Sequence, residues 1–259
     1  SLEYISGGSL ADRLKKHVLT EQESANLIEV LAQAVHFAHQ QNIIHRDIKP
    51  GNVLMGEHKT PKLTDFGLAR RIDEAGVTGS GAIMGTPSYM APEQAAGKIH
   101  HPGPALDIYA LGAVLYECLT GQPPFRARTA VDTIWQVLRQ EPVAPSHLQP
   151  KLSRDLETIC LKCLEKNPAN RYESAEALAD DLRRFQRREP IHARPISRLG
   201  RTWRWCRRNP GIAGLLSLVL LTLLTGIAVS TTFFLREQQK ARENQTLADQ
   251  KEKARLSLQ

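Results

Sequence analysis

Cysteine is scarce in this sequence, which excludes a fold that depends on a disulfide framework for its stability. The 259 residues contain four cysteines, at positions 118, 160, 163 and 206. Cys160 and Cys163 have the spacing of a zinc knuckle, but no second Cys/His pair follows to complete four ligands. Both also fall on the apolar face of a helical pattern, so we predict buried thiols rather than a zinc or redox site. Reduced thiols suit a cytosolic domain.

Acidic residues are missing from one strip of the chain. Residues 191–210 contain six Arg and no Asp or Glu, whereas residues 1–190 are close to neutral within a total net charge of +7. A nucleic-acid-binding protein carries its basic excess on the folded domain, so this distribution predicts no nucleic-acid partner. We interpret residues 189–210 as an Arg-rich linker beside a membrane.

Charged residues of either sign are missing from residues 211–235, a run of 25 residues. A helix needs about 20 apolar residues to cross the hydrocarbon core of a bilayer, and this run is longer than that. Trp203 and Trp205 come just before the run, where amphipathic rings prefer to lie. We therefore predict a single transmembrane helix, with a buried core helix as the alternative, and a polar, helical tail over residues 236–259.

The residues that carry chemistry are concentrated in one stretch, His45-Arg46-Asp47-Ile48-Lys49-Pro50-Gly51-Asn52. Asp65-Phe66-Gly67 follows it, and then Ala91-Pro92-Glu93. These three landmarks, in this order, form the catalytic-loop signature set of protein kinases. The chain resembles the bacterial eukaryotic-like Ser/Thr protein kinases, which implies an α+β fold with a helical C-terminal lobe. The resemblance also implies transfer of the ATP γ-phosphate to protein Ser/Thr hydroxyls, with Mg²⁺.

Within this resemblance, the catalytic loop supplies the groups that surround the transferred phosphate. Asp47 matches the catalytic base; because a carboxylate is a weak base, it orients the incoming hydroxyl and accepts the proton late. Lys49 matches the cation that neutralises the phosphate. Asn52 and Asp65 provide the hard oxygen ligands that Mg²⁺ prefers. Gly67 permits the backbone turn that directs Asp65 toward the metal.

Further positions match the nucleotide and substrate contacts of the family. Glu3 and Ile5 lie in the linker whose backbone groups contact the adenine edge, and Leu54 matches the residue beneath the adenine ring. Thr86 lies in a stretch that resembles the substrate-docking loop, where it is placed to bond the catalytic base and the neighbouring lysine.

Other matching residues have structural roles in the family. Glu93 and Arg171 match a buried ion pair, a site that suits the planar guanidinium. Asp107 matches the acid of the central helix that holds the catalytic-loop backbone. His45 and Phe66 match two members of the stacked hydrophobic column behind the active site.

Arg46, next to the base, is typical of family members that are switched by phosphorylation of the activation loop. Thr78 and Ser80 are the candidate acceptors, in the Gly-, Ser- and Thr-rich stretch that follows Asp65. A phosphate there adds up to about two negative charges that Arg46 can pair. Solvated loop hydroxyls are the alternative for either residue.

Hydrophobic periodicity and turn signals predict the elements that carry these residues. Thr20-Glu-Gln-Glu23 has the form of a capping box and predicts a helix, in which we interpret His36 and His39 as structural. Ile43–Ile44 is predicted to be a short buried β segment. The remaining predicted elements are a hairpin of 52–55 with 62–64, a central buried helix over 107–119, and helices around 129–140, 153–165 and 174–188.

The sequence contains no Gly-x-Gly-x-x-Gly loop and no Val-Ala-x-Lys strand, which hold the ATP phosphates in the family. In the family both precede the hinge, and this sequence begins at residues that resemble the hinge. We expect residues 1–188 to comprise only the hinge and C-lobe of a kinase domain truncated at its N-terminus, without the N-lobe sheet. These 259 residues alone should have little or no activity. The alternative is a pseudokinase-like scaffold that docks partners at a membrane.

The predicted span sets the expected topology at the cell membrane. ATP is cytosolic, so we expect residues 1–210 in the cytoplasm, the Arg-rich linker against the anionic inner leaflet and the tail on the outer side. The 20 residues before the span and the 20 residues after it each hold six Lys and Arg in total. The positive-charge bias that orients membrane helices therefore contributes little here. The expected partners are ATP, protein substrates, membrane lipid and a second copy for trans-autophosphorylation.

Overall fold

The structure is a computed structural model that describes residues 7–56, 60–66, 87–97 and 103–193, with many residues between 211 and 236. The chain divides into two compact units, Ser1–Ile196 and Ser197–Gln259. The described part of the first unit is mostly helical, with one hairpin. Its elements are α1 Leu10–Leu14, α2 Glu21–Gln40, β1 Val53–Met55, β2 Pro61–Leu63, α3 Pro92–Ala95, α4 Ala105–Thr120, α5 Ala130–Arg139, α6 Pro145–Leu148, α7 Arg154–Cys163 and α8 Ala175–Gln186.

Helix α2 begins where the capping-box pattern predicts it. The hydroxyl of Thr20 accepts the backbone N–H of Glu23, and the Glu23 carboxylate accepts the N–H of Thr20 at 3.0 Å. This reciprocal pair satisfies two donors that the first turn of a helix leaves without partners. The apolar stripe of α2 then packs against α4 and α8, and this packing places the end of α2 beside the catalytic loop.

Helix α4 is the buried centre of the first unit and agrees with the predicted central helix. Nearly every side chain from Leu106 to Leu119 is buried, because α2, α6, α7 and α8 all pack against it. The helix ends at Thr120 and is followed by Gly121, whose φ of 79° is the left-handed conformation that favours glycine after a helix. Gly112 faces α7 so closely that a Cβ there would lie 2.3 Å from the Cβ of Cys163.

Three cysteines belong to this core. Cys118, Cys160 and Cys163 are buried, and burial raises the pKa of each thiol. For Cys163 the pKa rises to about 12. The thiols are therefore protonated and enclosed at neutral pH, in agreement with the predicted buried cysteines.

Strands β1 and β2 form the predicted hairpin, with Leu54 opposite Lys62. The predicted β segment at Ile43–Ile44 is wrong, because neither residue lies in a strand and Ile43 is exposed. Helix α2 instead ends in a turn with Asn42 at a φ of 59°. The backbone that follows is held by side chains of other elements rather than by a neighbouring strand.

The chain reverses direction after α8 and packs back against that helix. Arg188 has a φ of 58°, and the N–H groups of the turn donate to carbonyls of the last helical turn, as in a Schellman motif. Residues 187–193, which we name the exit segment, then bring the N–H groups of His192 and Ala193 to the Asp181 carboxylate, at 2.6 and 2.8 Å. Hydrogen-bonded structure thus continues past residue 188 to Ala193.

In the second unit, the described residues between 211 and 236 are helical. Thr225 donates its hydroxyl to the carbonyl of Leu221 at 2.9 Å, so this polar side chain is satisfied within the helix. Within the residues that the structure describes, no helix has the length and hydropathy needed to cross a bilayer. The transmembrane helix over 211–235 stays a prediction.

Candidate active site

Three side chains that the sequence predicts to act together meet at the Asp47 carboxylate. Lys49 Nζ lies 2.7 Å from Asp47 Oδ2. Asn52 Nδ2 donates to the same oxygen at 3.1 Å and to the Asp47 carbonyl at 2.8 Å. The short 3-10 turn Pro50–Asn52 makes this possible, because it brings the buried Asn52 back toward the residue five positions earlier. Among the described residues, Asp47 Oδ1 has no side-chain partner.

Asp107, in the first turn of α4, holds the backbone of the catalytic loop. Its side chain is 1% exposed and accepts three hydrogen bonds. Oδ1 accepts the N–H of Arg46 at 2.8 Å, while Oδ2 accepts the N–H of His45 at 2.9 Å and His39 Nε2 at 2.8 Å. Three donors and the positive end of the helix dipole offset the cost of burying this charge. The first two contacts match the role expected for Asp107.

The ring of His45 connects the catalytic loop to the segment that carries Asp65. Nε2 donates to the Thr64 carbonyl at 2.9 Å, and Nδ1 accepts the N–H of Asp47 at 3.3 Å. A carbonyl can only accept and an amide N–H can only donate, so these contacts require the neutral tautomer protonated on Nε2. The ring also meets Phe66 edge to face, with centroids 4.7 Å apart. The resemblance places these two residues in one hydrophobic column, and the structure shows them in contact.

Asp65 and Asn52 fit a Mg²⁺ site. Asp65 is exposed and has a φ of 64°, a conformation that turns the chain at this point. Asn52 uses its amide nitrogen to bond Asp47, which leaves its amide oxygen for a metal. Mg²⁺ commonly takes one or two protein ligands and completes its shell with waters and phosphate oxygens. No cluster of three or more His, Cys, Asp and Glu occurs in the described part of the chain, and such a Mg²⁺ site does not need one.

An ion pair fixes the helix that follows the activation loop. Arg171, which is 4% exposed, donates to the two carboxylate oxygens of Glu93 at 2.7 and 2.8 Å. The same guanidinium donates to the carbonyls of Ala105 and Glu165 at 2.8 Å and lies over the Tyr109 ring at 4.9 Å. Only the planar fork of arginine makes all these contacts at once. The pair holds α3 against the start of α4.

Several contacts of this region were missed by sequence reasoning. His39, which we interpret from the sequence as structural, bonds Asp107, 68 positions away, and no sequence pattern indicates this partner. Tyr89 donates to Glu117 of α4 at 2.5 Å, and burial raises the pKa of both groups. The signal available for the second pair was an acid near the C-terminal end of α4, within its otherwise apolar second half. Gln94 donates to the carbonyl of Arg46 at 3.0 Å, and no sequence pattern indicated it.

The other predicted residues are only partly covered by the structure. Leu54 lies in β1, half-buried, and forms a bridge with Ser9. The positions predicted in the adenine linker, the activation loop and the substrate-docking loop lie outside the described residues: Glu3, Ile5, Gly67, Thr78, Ser80 and Thr86.

A helical lobe that presents Asp47, Lys49, Asn52 and Asp65 on short loops is typical of protein kinases. The sequence-family model of the protein kinase domain matches residues 1–182 of this chain. The chain therefore belongs to the protein kinase family.

Its relatives are bacterial Ser/Thr kinases. The chain is 40% identical over 195 residues to the serine/threonine-protein kinase PknB of Mycobacterium tuberculosis and 39% identical over 194 residues to PknB of Mycobacterium leprae. It is 36% identical over 196 residues to a probable serine/threonine-protein kinase of Streptomyces coelicolor. Each match covers 74% of this chain, but only 31%, 31% and 29% of the respective relative. The chain thus spans about a third of the length of these relatives.

Proposed function

We propose that the protein containing this chain is a Ser/Thr protein kinase that transfers the γ-phosphate of ATP to Ser and Thr hydroxyls of proteins. The observation that carries the proposal is the contact of Lys49 and Asn52 with one oxygen of Asp47. The loop that bears these groups is fixed on a buried carboxylate. Such fixed positioning of charge is what phosphoryl transfer asks of a protein.

We infer a task for each side chain. Asp47 orients the substrate hydroxyl through Oδ1 and accepts its proton as the new P–O bond forms and the bond to the β–γ bridging oxygen breaks. Lys49 lies beside that carboxylate, where its charge offsets the negative charge on the transferring phosphoryl oxygens. Mg²⁺, held by Asn52 and Asp65, would supply further positive charge at the phosphates when bound.

The proposal is tested by Asp47→Asn in the full-length protein. The substitution keeps the shape but replaces the proton acceptor, so we expect phosphate transfer from labelled ATP to a generic protein substrate to fall by about 100-fold or more. Asp155→Asn, at an exposed position in α7, is the matched control and should leave transfer unchanged. A wild-type protein that shows no transfer, yet still binds partners through this lobe, would favour the pseudokinase-like scaffold instead.

We also propose that the 259 residues alone have little or no activity. They contain no Gly-rich phosphate loop and no strand Lys, which provide half of the ATP contacts in the family. An autophosphorylation assay with this chain tests the proposal. Activity that disappears with Asp47→Asn would contradict it.

Phosphorylation of Thr78 or Ser80 is proposed to activate the protein through Arg46. The Nε of Arg46 is buried and has no hydrogen-bond partner among the described residues, which supports a role in pairing an added phosphate. Mass spectrometry of the protein after incubation with ATP should identify these positions. If Thr78→Ala and Ser80→Ala together left activity unchanged, the proposal would fail.

A single-pass anchor at residues 211–235 is proposed to hold the kinase lobe at the cytoplasmic face of the cell membrane. The 25 uncharged residues and the six preceding arginines support it. A tag at Gln259 should be removed by protease added to intact cells, and a protected tag would contradict this orientation. A second copy is the proposed partner for trans-autophosphorylation, which mixing active protein with tagged Asp47→Asn protein would detect.

A further inference from the structure

The residue before the catalytic base has a backbone conformation that an arginine does not favour. Arg46 has a φ of 70°, in the left-handed region that residues with a side chain rarely adopt. Such a conformation persists only where surrounding contacts determine it. The contacts that hold Arg46 therefore also fix the start of the next residue, Asp47.

Two contacts hold the Arg46 backbone, one on each side of its Cα. The N–H donates to Asp107 Oδ1 at 2.8 Å, and the carbonyl accepts from Gln94 Nε2 at 3.0 Å. That carbonyl belongs to the peptide group shared with Asp47, whose N–H donates to His45 Nδ1 at 3.3 Å. Because a peptide group is planar, the Gln94 bond sets the orientation of the whole plane that leads into Asp47.

Gln94 is placed by the ion pair beside it. It is half-buried in α3, directly after Glu93, whose carboxylate is bound by both terminal nitrogens of Arg171. Helix α3 follows the activation loop in the chain. Gln94 therefore connects the end of that segment to the backbone at the catalytic base.

We propose that Gln94 is a positioning residue for phosphoryl transfer, which sets the orientation of Asp47 through the carbonyl of Arg46. The inference rests on the proposed kinase function and deepens it. Asp107, in the central helix α4, holds the N–H of Arg46. Gln94, in the helix α3 that follows the activation loop, holds its carbonyl.

The test compares two substitutions in the full-length protein. Gln94→Met keeps the length of the side chain but removes the donor, and Gln94→Glu puts a carboxylate oxygen against the carbonyl oxygen. We expect kcat to fall by about three- to tenfold in Gln94→Met, as for the loss of one hydrogen bond, and further in Gln94→Glu. The KM for ATP should stay within about twofold, because the base does not bind the nucleotide. Gln149→Met, at an exposed position after α6, is the matched control.

A second measurement does not depend on activity. Hydrogen exchange of the catalytic-loop peptide, followed by mass spectrometry, should be about three- to tenfold faster in Gln94→Met than in wild type. Exchange in α4 and α8 should be unchanged, because a general loss of stability would accelerate exchange there as well.

The outcomes separate this inference from the proposed function. Lower kcat with faster local exchange supports it. Unchanged kcat in Gln94→Met, equal kcat in the two Gln94 variants, or unchanged exchange overturns it. A wild-type protein without transfer would overturn the proposed function and the catalytic part of this inference, while the exchange result still supports or overturns the Gln94 contact.

Discussion

Two aspartates of the catalytic lobe are buried to the same extent and hold different parts of the chain. Asp107 is 1% exposed and Asp181 is fully buried. Each accepts three hydrogen bonds, two of them from the N–H groups of consecutive residues. The third bond comes from a side chain, His39 for Asp107 and Tyr172 for Asp181.

What differs is the segment to which the donors belong. The backbone donors of Asp107 lie in the catalytic loop, more than 60 positions before it, whereas those of Asp181 lie in the exit segment, 11 and 12 positions after it. Burial and hydrogen-bond number are alike, so neither identifies a functional carboxylate. The position of the donors does.

Asp107→Ala should have the largest effect, because it leaves the N–H groups of a buried loop without an acceptor. We expect a loss of on the order of 4 kcal/mol in the free energy of unfolding. The catalytic base would also be displaced, so activity should fall by about 100-fold or more. Denaturant unfolding and phosphate-transfer assays measure the two losses. A stable variant with normal kcat would show that the loop does not depend on this carboxylate.

Asp181→Ala should reduce stability but not catalysis. One of its backbone donors belongs to the exposed His192, where water can replace the lost acceptor, whereas Ala193 and Tyr172 are buried. We therefore expect a smaller loss in the free energy of unfolding, about 1–3 kcal/mol, with kcat unchanged. The same assays on this variant sharpen the comparison. If kcat fell as in Asp107→Ala, the proposed division between the two aspartates would be wrong.

Tyr172→Phe removes the side-chain donor of Asp181 and should cost about 1 kcal/mol. Burial, with nearby Cys163 and Asp181, raises the pKa of Tyr172 well above its ordinary value of 10.0. A raised pKa means that the folded state favours the neutral phenol. The contribution of the neutral Tyr172 phenol to the free energy of unfolding is therefore complete below about pH 10 and declines as the pH rises further.

The measurement is unfolding of wild type and Tyr172→Phe at pH 7 and above pH 10. The difference between the two proteins in the free energy of unfolding should be smaller at the higher pH. A difference that grew with pH would contradict the raised pKa. Tyr116→Phe, also in the core but not bonded to Asp181, is the control for loss of a buried hydroxyl.

His39→Gln should have the smallest effect of the series. Glutamine can place an N–H near the position of Nε2, so we expect a loss of less than about 1 kcal/mol and nearly normal kcat. His39→Leu removes the donor and should lower both stability and kcat. If the two variants behaved alike, the His39 bond would have no part in holding Asp107.

Local patterns predicted most of the elements of this lobe. The capping box at Thr20, the hairpin and the central helix each depend on residues that are close in sequence, and the structure contains all three. The error at Ile43–Ile44 has the opposite cause. Its two apolar residues look like a strand, but the N–H of Ile43 donates to the carbonyl of Ala38 in α2 at 3.0 Å, and the next N–H that α4 holds is that of His45.

The two buried aspartates show the same limit at the site. Asp107 was found only through the resemblance to kinases, and Asp181 was missed. Its neighbour Asp180 has the same side chain and is about half exposed. Helical spacing distinguishes the buried Asp181 from the half-exposed Asp180, because Asp181 lies with Leu178 and Leu182 on the apolar face of α8. A charged residue at such a position predicts donors from elsewhere in the fold.

The path of the exit segment has a mechanical consequence. Tension applied to the chain beyond Ala193 reaches the two backbone bonds of Asp181 before it reaches the end of α8. The force therefore enters α8 at Asp181, and the C-terminal end of this helix is shielded from a pull on the residues that follow. Force would first peel the exit segment from Asp181, and the packing that supports the catalytic loop would still be intact.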